Sequence, residues 1–304
     1  MVNLQTLVPA PADLFPISHS NSLLLLGSCF TENMGQRLVQ SGFEVLINPF
    51  GIQYNPLTIA QTLQKIILNE DIVDDDLVQH NGLWHSWLHH GSFSDSEKHL
   101  CLQKCNQSLH QAHDFLLQAD TLMVTFGTAF VYENKASGKI VANCHKIPAT
   151  QFQKRLLTIE EILQAWEPLL SHWNGRILFT VSPIRHWADG AHGNQVSKST
   201  LLLALHQLQA PYFPAYEILM DELRDYRFYA DDLLHPSPLA EEIVWQRFRQ
   251  STMDARTQTL AEKYLQLHKM KAHSPLFPSS EGYQLHLQKI AQLEKELAQQ
   301  EKNL

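Results

Sequence analysis

Two short stretches of this chain hold residues of the types and spacing that do nucleophilic chemistry. "LLLLGSCFTENMG", residues 23–35, sets Ser28 beside Cys29 where an apolar run meets a helix-start pattern opening at Thr31, with Glu32 in its first turn. A buried strand, a glycine and a helix start lift a side chain out at the strand end and aim it at the helix's N-terminal amides. Those amides favour an anion. The expectation for Cys29 is therefore a lowered thiol pKa, and for either residue a backbone donor for an oxyanion. The second stretch, "YADDLLHPSPLAEE", places Asp232 three residues before His235, in a loop just ahead of a helix. A carboxylate so placed can hold one ring nitrogen and leave the other facing a nucleophile, the orienter and base of triad chemistry.

Other constellations compete. With 17 histidines in the chain, metal binding has to be weighed, and "HLCLQKCNQSLHQAH" offers His99, Cys101, Cys105, His110 and His113. On one helix, however, only Cys101 and Cys105 share a face, about 40° apart, while His99 and His110 point nearly opposite ways. Four ligands cannot converge tetrahedrally from there, so no metal and no cofactor is expected. "WHSWLHH" puts His85 and His89 four apart, able to pair on one helical face, and with Trp84 and Trp87 suggests a lid or a sugar-stacking wall. His186 in "SPIRHW" and His145 in "NCHK" follow strand-end regions, where each would either line a pocket or satisfy a buried loop carbonyl. "FGTAF" has neither a second spaced glycine nor a following Gly-Lys-Ser/Thr, which argues against a phosphate-cradling loop.

The elements that must position these residues follow from periodicity. "SLLLLG", "FEVLINPFG", "TLMVTFG" and "RILFTVSP" are short apolar runs ended by Gly or Pro, as buried parallel strands are. Helical periodicity falls between them, near residues 31–41, 57–69, 96–118, 158–171 and 194–209. The alternation predicts an α/β fold, a three-layer α/β/α sandwich with a mostly parallel sheet, whose ligands sit beyond the carboxyl ends of the strands. Residues 70–95 break the alternation and read as an insertion or lid, too mixed for a sheet strand. From Pro238 onward the pattern is helical, with a break at "HSPLFPSSEG", which predicts a domain over 1–250 and a helical C-terminal extension over 251–304. Ile290, Leu297 and Leu304 fall seven apart on the last helix, a stripe able to pack on the domain, the preferred reading, or to make a homo-oligomer with a second copy.

Taken together, "LLLLGSCF" and "DDLLHP" resemble the SGNH (GDSL-like) hydrolase superfamily, whose first block is Gly-Asp-Ser and whose last is Asp-x-x-His. More closely, "GSCF", "FGTAFVYE", "VANCHK", "TVSPIRH" and "LRDYRFYADDLLHPS", in this order, resemble the GSCFA family, a bacterial group assigned to that superfamily. The resemblance spans about residues 20–250 and implies an esterase or acyltransferase, working on an acyl ester or thioester of a carbohydrate or lipid. It implies Cys29 in the nucleophile slot, with Ser28 in place of the superfamily's Asp and as the alternative nucleophile, and His235 and Asp232 as base and orienter. It also implies oxyanion donors from Gly51 in "INPFGIQYNP" and from the block around Gly127, where Ala129 stands in place of the superfamily's Asn and leaves Asn143 or Asn55 as replacements. Those departures keep open a catalytically inactive ligand-binding module of the same fold, and the histidines a metal-dependent hydrolase.

Bulk properties narrow the partners. The chain has 304 residues, 44% hydrophobic and 18% charged, enough to bury a large core. With 23 Lys and Arg against 31 Asp and Glu, a net charge of −8 and no basic run, nucleic acid is not an expected partner. The first twenty residues lack a basic region followed by an apolar one, and no window reaches the roughly 18 apolar residues of a membrane span. Four cysteines are too few for a disulfide framework, and a cytoplasmic setting with reduced thiols is expected.

Overall fold

The computed structural model describes residues 6–9, 11 and 14–301. Its centre is a five-stranded sheet made of β1 (Ser22–Gly27), β2 (Glu44–Ile47), β5 (Thr121–Phe126), β9 (Arg176–Val181) and β10 (Tyr212–Phe213). The spatial order is β10-β9-β5-β1-β2, and every pairing is parallel. The chain therefore builds outward from β1 to β2, then crosses back to β5 and on towards β10. The direction of winding reverses between β1 and β5, and the carboxyl ends of strands at such a reversal leave a crevice for ligands.

The side chains of β1 show how the layers form. Leu24 and Leu26 belong to one buried cluster, Leu23 and Leu25 to another, because successive strand residues face opposite sides of the sheet. The first face is covered by α2 (Pro56–Leu68), α3 (Lys98–Leu116), α4 (Ile159–His172) and α5 (Gly190–Leu208). The second is covered by α1 (Cys29–Gln40), the short α6 (Ala215–Glu217) with the turn after it, α7 (Pro238–Thr252) and the start of α8 (Ala255–Ala272). The chain is thus a three-layer α/β sandwich. Its last helix, α9 (Glu281–Glu301), lays Ile290, Leu293 and Leu297 on Leu260, Tyr264 and Leu267 of α8. Leu304, the third member of the expected stripe, lies outside the described residues.

Three elements correct the sequence reading. Helix α1 begins at Cys29, two residues earlier than the capping pattern suggests. Residues 70–95 hold a β-hairpin, β3 (Leu77–His80) paired with β4 (Leu83–Ser86) across Asn81 and Gly82, both in the left-handed region as a tight hairpin turn requires. A small antiparallel sheet, β7 (Ile140–Val141), β6 (Phe130–Asn134) and β8 (Phe152–Leu156), fills the stretch between β5 and α4. Among the described residues no helix is long and apolar enough to cross a membrane.

Candidate active site

Gly27 ends β1 at φ +144°, and a Cβ there would lie 2.3 Å from the Thr125 carbonyl oxygen of β5. Only glycine lets the chain leave the sheet this close to its neighbour. Ser28 follows as the N-cap of α1, and Cys29 is the first helical residue, half-buried at the reversal point of the sheet. Ser28 is 1% exposed and its hydroxyl has no hydrogen-bond partner among the described residues. Of the two adjacent candidates, the cysteine is the less buried.

Burial pushes the Cys29 thiol above its ordinary value. The amides of Cys29 and Phe30 pull it down, Glu32 raises it further and Lys198 lowers it. The sequence expectation of a lowered thiol pKa is therefore overturned: desolvation of the thiolate outweighs the helix start.

The Asp232–His235 unit assembles itself. Asp232 Oδ1 accepts hydrogen bonds from the backbone amides of Leu234 (2.9 Å) and His235 (3.0 Å), closing an Asx-type turn with Leu233 at φ +58°. His235 Nδ1 donates to Asp232 Oδ2 at 2.5 Å, which leaves Nε2 as the acceptor. The three hydrogen bonds hold Asp232 down at about 2, the backbone donors first. Arg185, just past β9, ties this turn to the sheet: its guanidinium donates to the Leu233 carbonyl, its amide to the Leu234 carbonyl at 3.4 Å, and its cation stacks 4.9 Å over the Tyr229 ring. The side chains of His235 and Asp232 are 51% and 46% exposed, and among the described residues no hydrogen bond joins His235 to Cys29.

The remaining expected site residues divide. His186 belongs to the crevice. Its ring stands edge-on to Tyr54 at 5.6 Å, with Nε2 3.3 Å from where a Gly127 side chain would begin. Burial and the charges of Lys198, Lys154 and His235 lower it to about 4, so it is neutral at pH 7.

Gly51 and Gly127, the expected oxyanion donors, are both engaged. The Gly51 amide donates to Asn48 (2.7 Å) and the Gly127 amide to Tyr54 (2.7 Å), because the loop 48–55 runs across the tops of β1 and β5. The Gly51 expectation is thereby corrected. Asn55 caps α2 through the Thr58 amide, and Asn143 accepts from the His145 amide in the loop after β7. In both, the engaged atom is the acceptor Oδ1. Asn48 is a polar side chain that meets the end of β1: its Oδ1 accepts from the Gly27 amide (2.8 Å), and its buried Nδ2 has no partner among the described residues.

His145 and His89 sit elsewhere, packed about the hairpin. His145 Nε2 bonds the Ser86 carbonyl (2.7 Å) and its ring stacks on His85; His89 Nδ1 bonds the Ser86 hydroxyl (2.8 Å) and its ring stacks on Phe50. Burial drives both far below the ordinary imidazole value, His145 to about 4 and His89 to about 3. They are neutral packing groups, and His85 and His89 lie on a strand and a turn, where the expected helical pairing does not exist. His110 and His113 bond Asp71 and the Ile66 carbonyl separately, and among the described residues no three His, Cys, Asp or Glu side chains are grouped as metal ligands. Trp84 is covered by the Lys98 ammonium, 5.0 Å from its ring, whereas Trp87 lines a cleft of about 480 Å³ with Gln61, Gln64, Lys65 and Asp76.

Lys198 is a buried charged residue beside the strand ends that sequence reasoning does not single out. It lies midway along α5, fully buried, and Nζ donates to the carbonyls of Gly127 and Ser182, each at 2.7 Å, directly beyond the ends of β5 and β9. A lone lysine in "NQVSKSTLLLALHQL" carries no sequence signal for such a place.

No curated protein matches this chain. The sequence pattern of the GSCFA family does, over residues 22–248, a span that runs from the first residue of β1 into α7 and takes in Cys29, Lys198 and the Asp232–His235 turn; the chain belongs to the GSCFA family.

Proposed function

We propose that the chain is an SGNH-type acyl-ester hydrolase or acyltransferase with Cys29 as its nucleophile. The observation that carries this reading is a half-buried cysteine at the first turn of α1, on the sheet's reversal point, together with a preformed Asp232–His235 unit that Arg185 tethers beyond the end of β9, on the far side of β5 from β1. In the reaction, the Cys29 sulfur attacks an ester or thioester carbonyl and gives its proton to His235 Nε2, while Asp232 holds the imidazolium. The amides of Cys29 and Phe30 face the oxyanion, supplying by helix geometry what Gly51 does not. Collapse expels the alcohol or thiol, which takes the proton from His235. The thioacyl-enzyme then passes its acyl group to water or to an acceptor hydroxyl, and a thioester transfers more readily than an oxyester. The Trp87 cleft, with an aromatic face beside amide and charged side chains, suits the carbohydrate part of such a substrate.

A second reading, a binding module of the same fold without turnover, is favoured by the consumed Gly51 and Gly127 amides. One experiment separates the two: p-nitrophenyl acetate is added to wild type and Cys29→Ala, and nitrophenol release is followed with mass analysis of the protein. A catalyst releases nitrophenol and carries acetyl on Cys29. A binding module does neither.

A further inference from the structure

The cleft beside Trp87 is built largely by parts of the chain that a three-layer sandwich does not need. Its walls come from the middle of α2, from the residues just after the β3–β4 hairpin and from the turn between β6 and β7. These walls are pinned to one another. Buried Gln53 donates to the Thr62 hydroxyl of α2 and to the Leu88 carbonyl, each at 2.7 Å. The Trp87 amide donates to the Asp76 carbonyl (3.2 Å), the Trp87 carbonyl accepts from the Ala142 amide (2.8 Å), and the indole packs edge-on against Phe152 at 6.0 Å. A cleft of about 480 Å³ between anchored walls is a preformed site within the range that takes a small molecule, about 300–1,000 Å³.

The lining selects the kind of molecule. Its charges balance: Asp76 lies between Lys65 (3.9 Å) and Lys139 (3.7 Å), and Lys65 also meets Glu70 (3.3 Å). An anion would have to compete with those carboxylates and a cation with those lysines, so the balance favours an uncharged ligand. Gln61 and Gln64 supply free polar groups, since among the described residues no hydrogen bond engages either side-chain amide. An amide sets donors beside an acceptor, the pattern that hydroxyls satisfy. Trp87, Leu88 and Ile140 add an apolar wall. Hydroxyls round an edge and C–H groups on a face are the chemistry of a sugar ring.

We infer that this cleft is a binding site for an uncharged carbohydrate, with Trp87 as its stacking surface and Gln61 and Gln64 as its hydroxyl partners. It is set apart from the crevice. Gln61 lies five residues, about 7.5 Å, along α2 from Pro56, and none of the described residues lining the cleft comes from the Cys29 or Asp232–His235 turns. Its part in acyl transfer, as the seat of the acyl carrier or acceptor, rests on the proposed function, whereas sugar binding itself does not depend on turnover.

The test is capture of the full chain on an array of neutral and acidic oligosaccharides, followed by calorimetry with the neutral glycan captured best, in wild type, Gln61→Ala/Gln64→Ala, Trp87→Ala and Cys29→Ala. Wild type takes neutral glycans in preference to acidic ones. The double variant, in which Gln61 is half-buried and Gln64 exposed, binds about tenfold more weakly or worse. Trp87→Ala loses binding as well, and the glutamine pair decides if that variant does not fold. Cys29→Ala binds as wild type does. No capture of any neutral glycan, undiminished capture by the glutamine variant, or loss of capture in Cys29→Ala overturns the inference. Glycan capture by a chain that forms no acetyl adduct at Cys29 defeats the hydrolase reading alone, and an adduct without capture defeats the glycan site alone.

Discussion

At Cys29 two opposing effects meet. Helix amides and the Lys198 charge favour the thiolate, burial and Glu32 the thiol, and burial is the largest of the four. The sulfur thus rests protonated at neutral pH, and in the proposed reaction it is deprotonated during attack, as a catalytic serine is, instead of being stored as a thiolate. Its alkylation by iodoacetamide will show an inflection above that of an exposed cysteine, about 8.5. His235→Ala leaves that inflection in place, since no hydrogen bond joins the two in the unliganded chain, yet slows ester turnover by roughly 10²- to 10⁴-fold. Lys198 makes a prediction for stability. Its folded pKa, about 7, lies below that of an unfolded lysine, so between roughly 7 and 10 the unfolded chain binds the extra proton and stability rises with pH. The unfolding midpoint of wild type relative to Lys198→Met will climb across that window in a thermal melt series. The helix start at Cys29 and the Asx turn of Asp232 and His235 were legible in the sequence as local patterns, because both are built from neighbouring residues. Lys198 was not, because its meaning comes from Gly127 and Ser182, 71 and 16 residues away.

At the scale of elements, the exit from β1 is a tightly constrained turn. Gly27→Ala drives a Cβ into the Thr125 carbonyl oxygen and holds alanine at φ +144°, so it will destabilise the fold by on the order of 3 kcal/mol, read by urea unfolding. The long buried strands and the helices on either side of them were legible, since runs such as "SLLLLG" and the 3.6-residue periodicity extend far enough to be read. The sheet β7-β6-β8 was not, for its strands are only two to five residues long and carry no clean alternation of apolar and polar residues. The hairpin within 70–95 did carry a signal, Asn81-Gly82 between two short runs, hidden by the acids and histidines around it. The loop 48–55 shows a further limit. Its glycine is where the resemblance implies a donor, but which carbonyl takes that amide is settled by how the loop crosses β1.

For the whole molecule, layer architecture was legible and strand order was not. Alternating strands and helices imply a parallel sheet, but the reversal between β1 and β5, which creates the crevice, is set by which face each crossover helix covers. The C-terminal stripe packs within the chain, where Leu297 is 2% exposed against α8. Leu297→Asp will loosen α9 and speed proteolysis in the 273–280 segment, while acylation at Cys29, which packs in a different cluster from α9, proceeds unchanged. The measurement that tests the account most directly is mass analysis after brief exposure to p-nitrophenyl acetate, with fragmentation that separates Ser28 from Cys29. The account predicts one acetyl group on Cys29, absent from Cys29→Ala and accumulating far more slowly in His235→Ala. Acetyl on Ser28, or an unmodified chain after prolonged exposure, would contradict it.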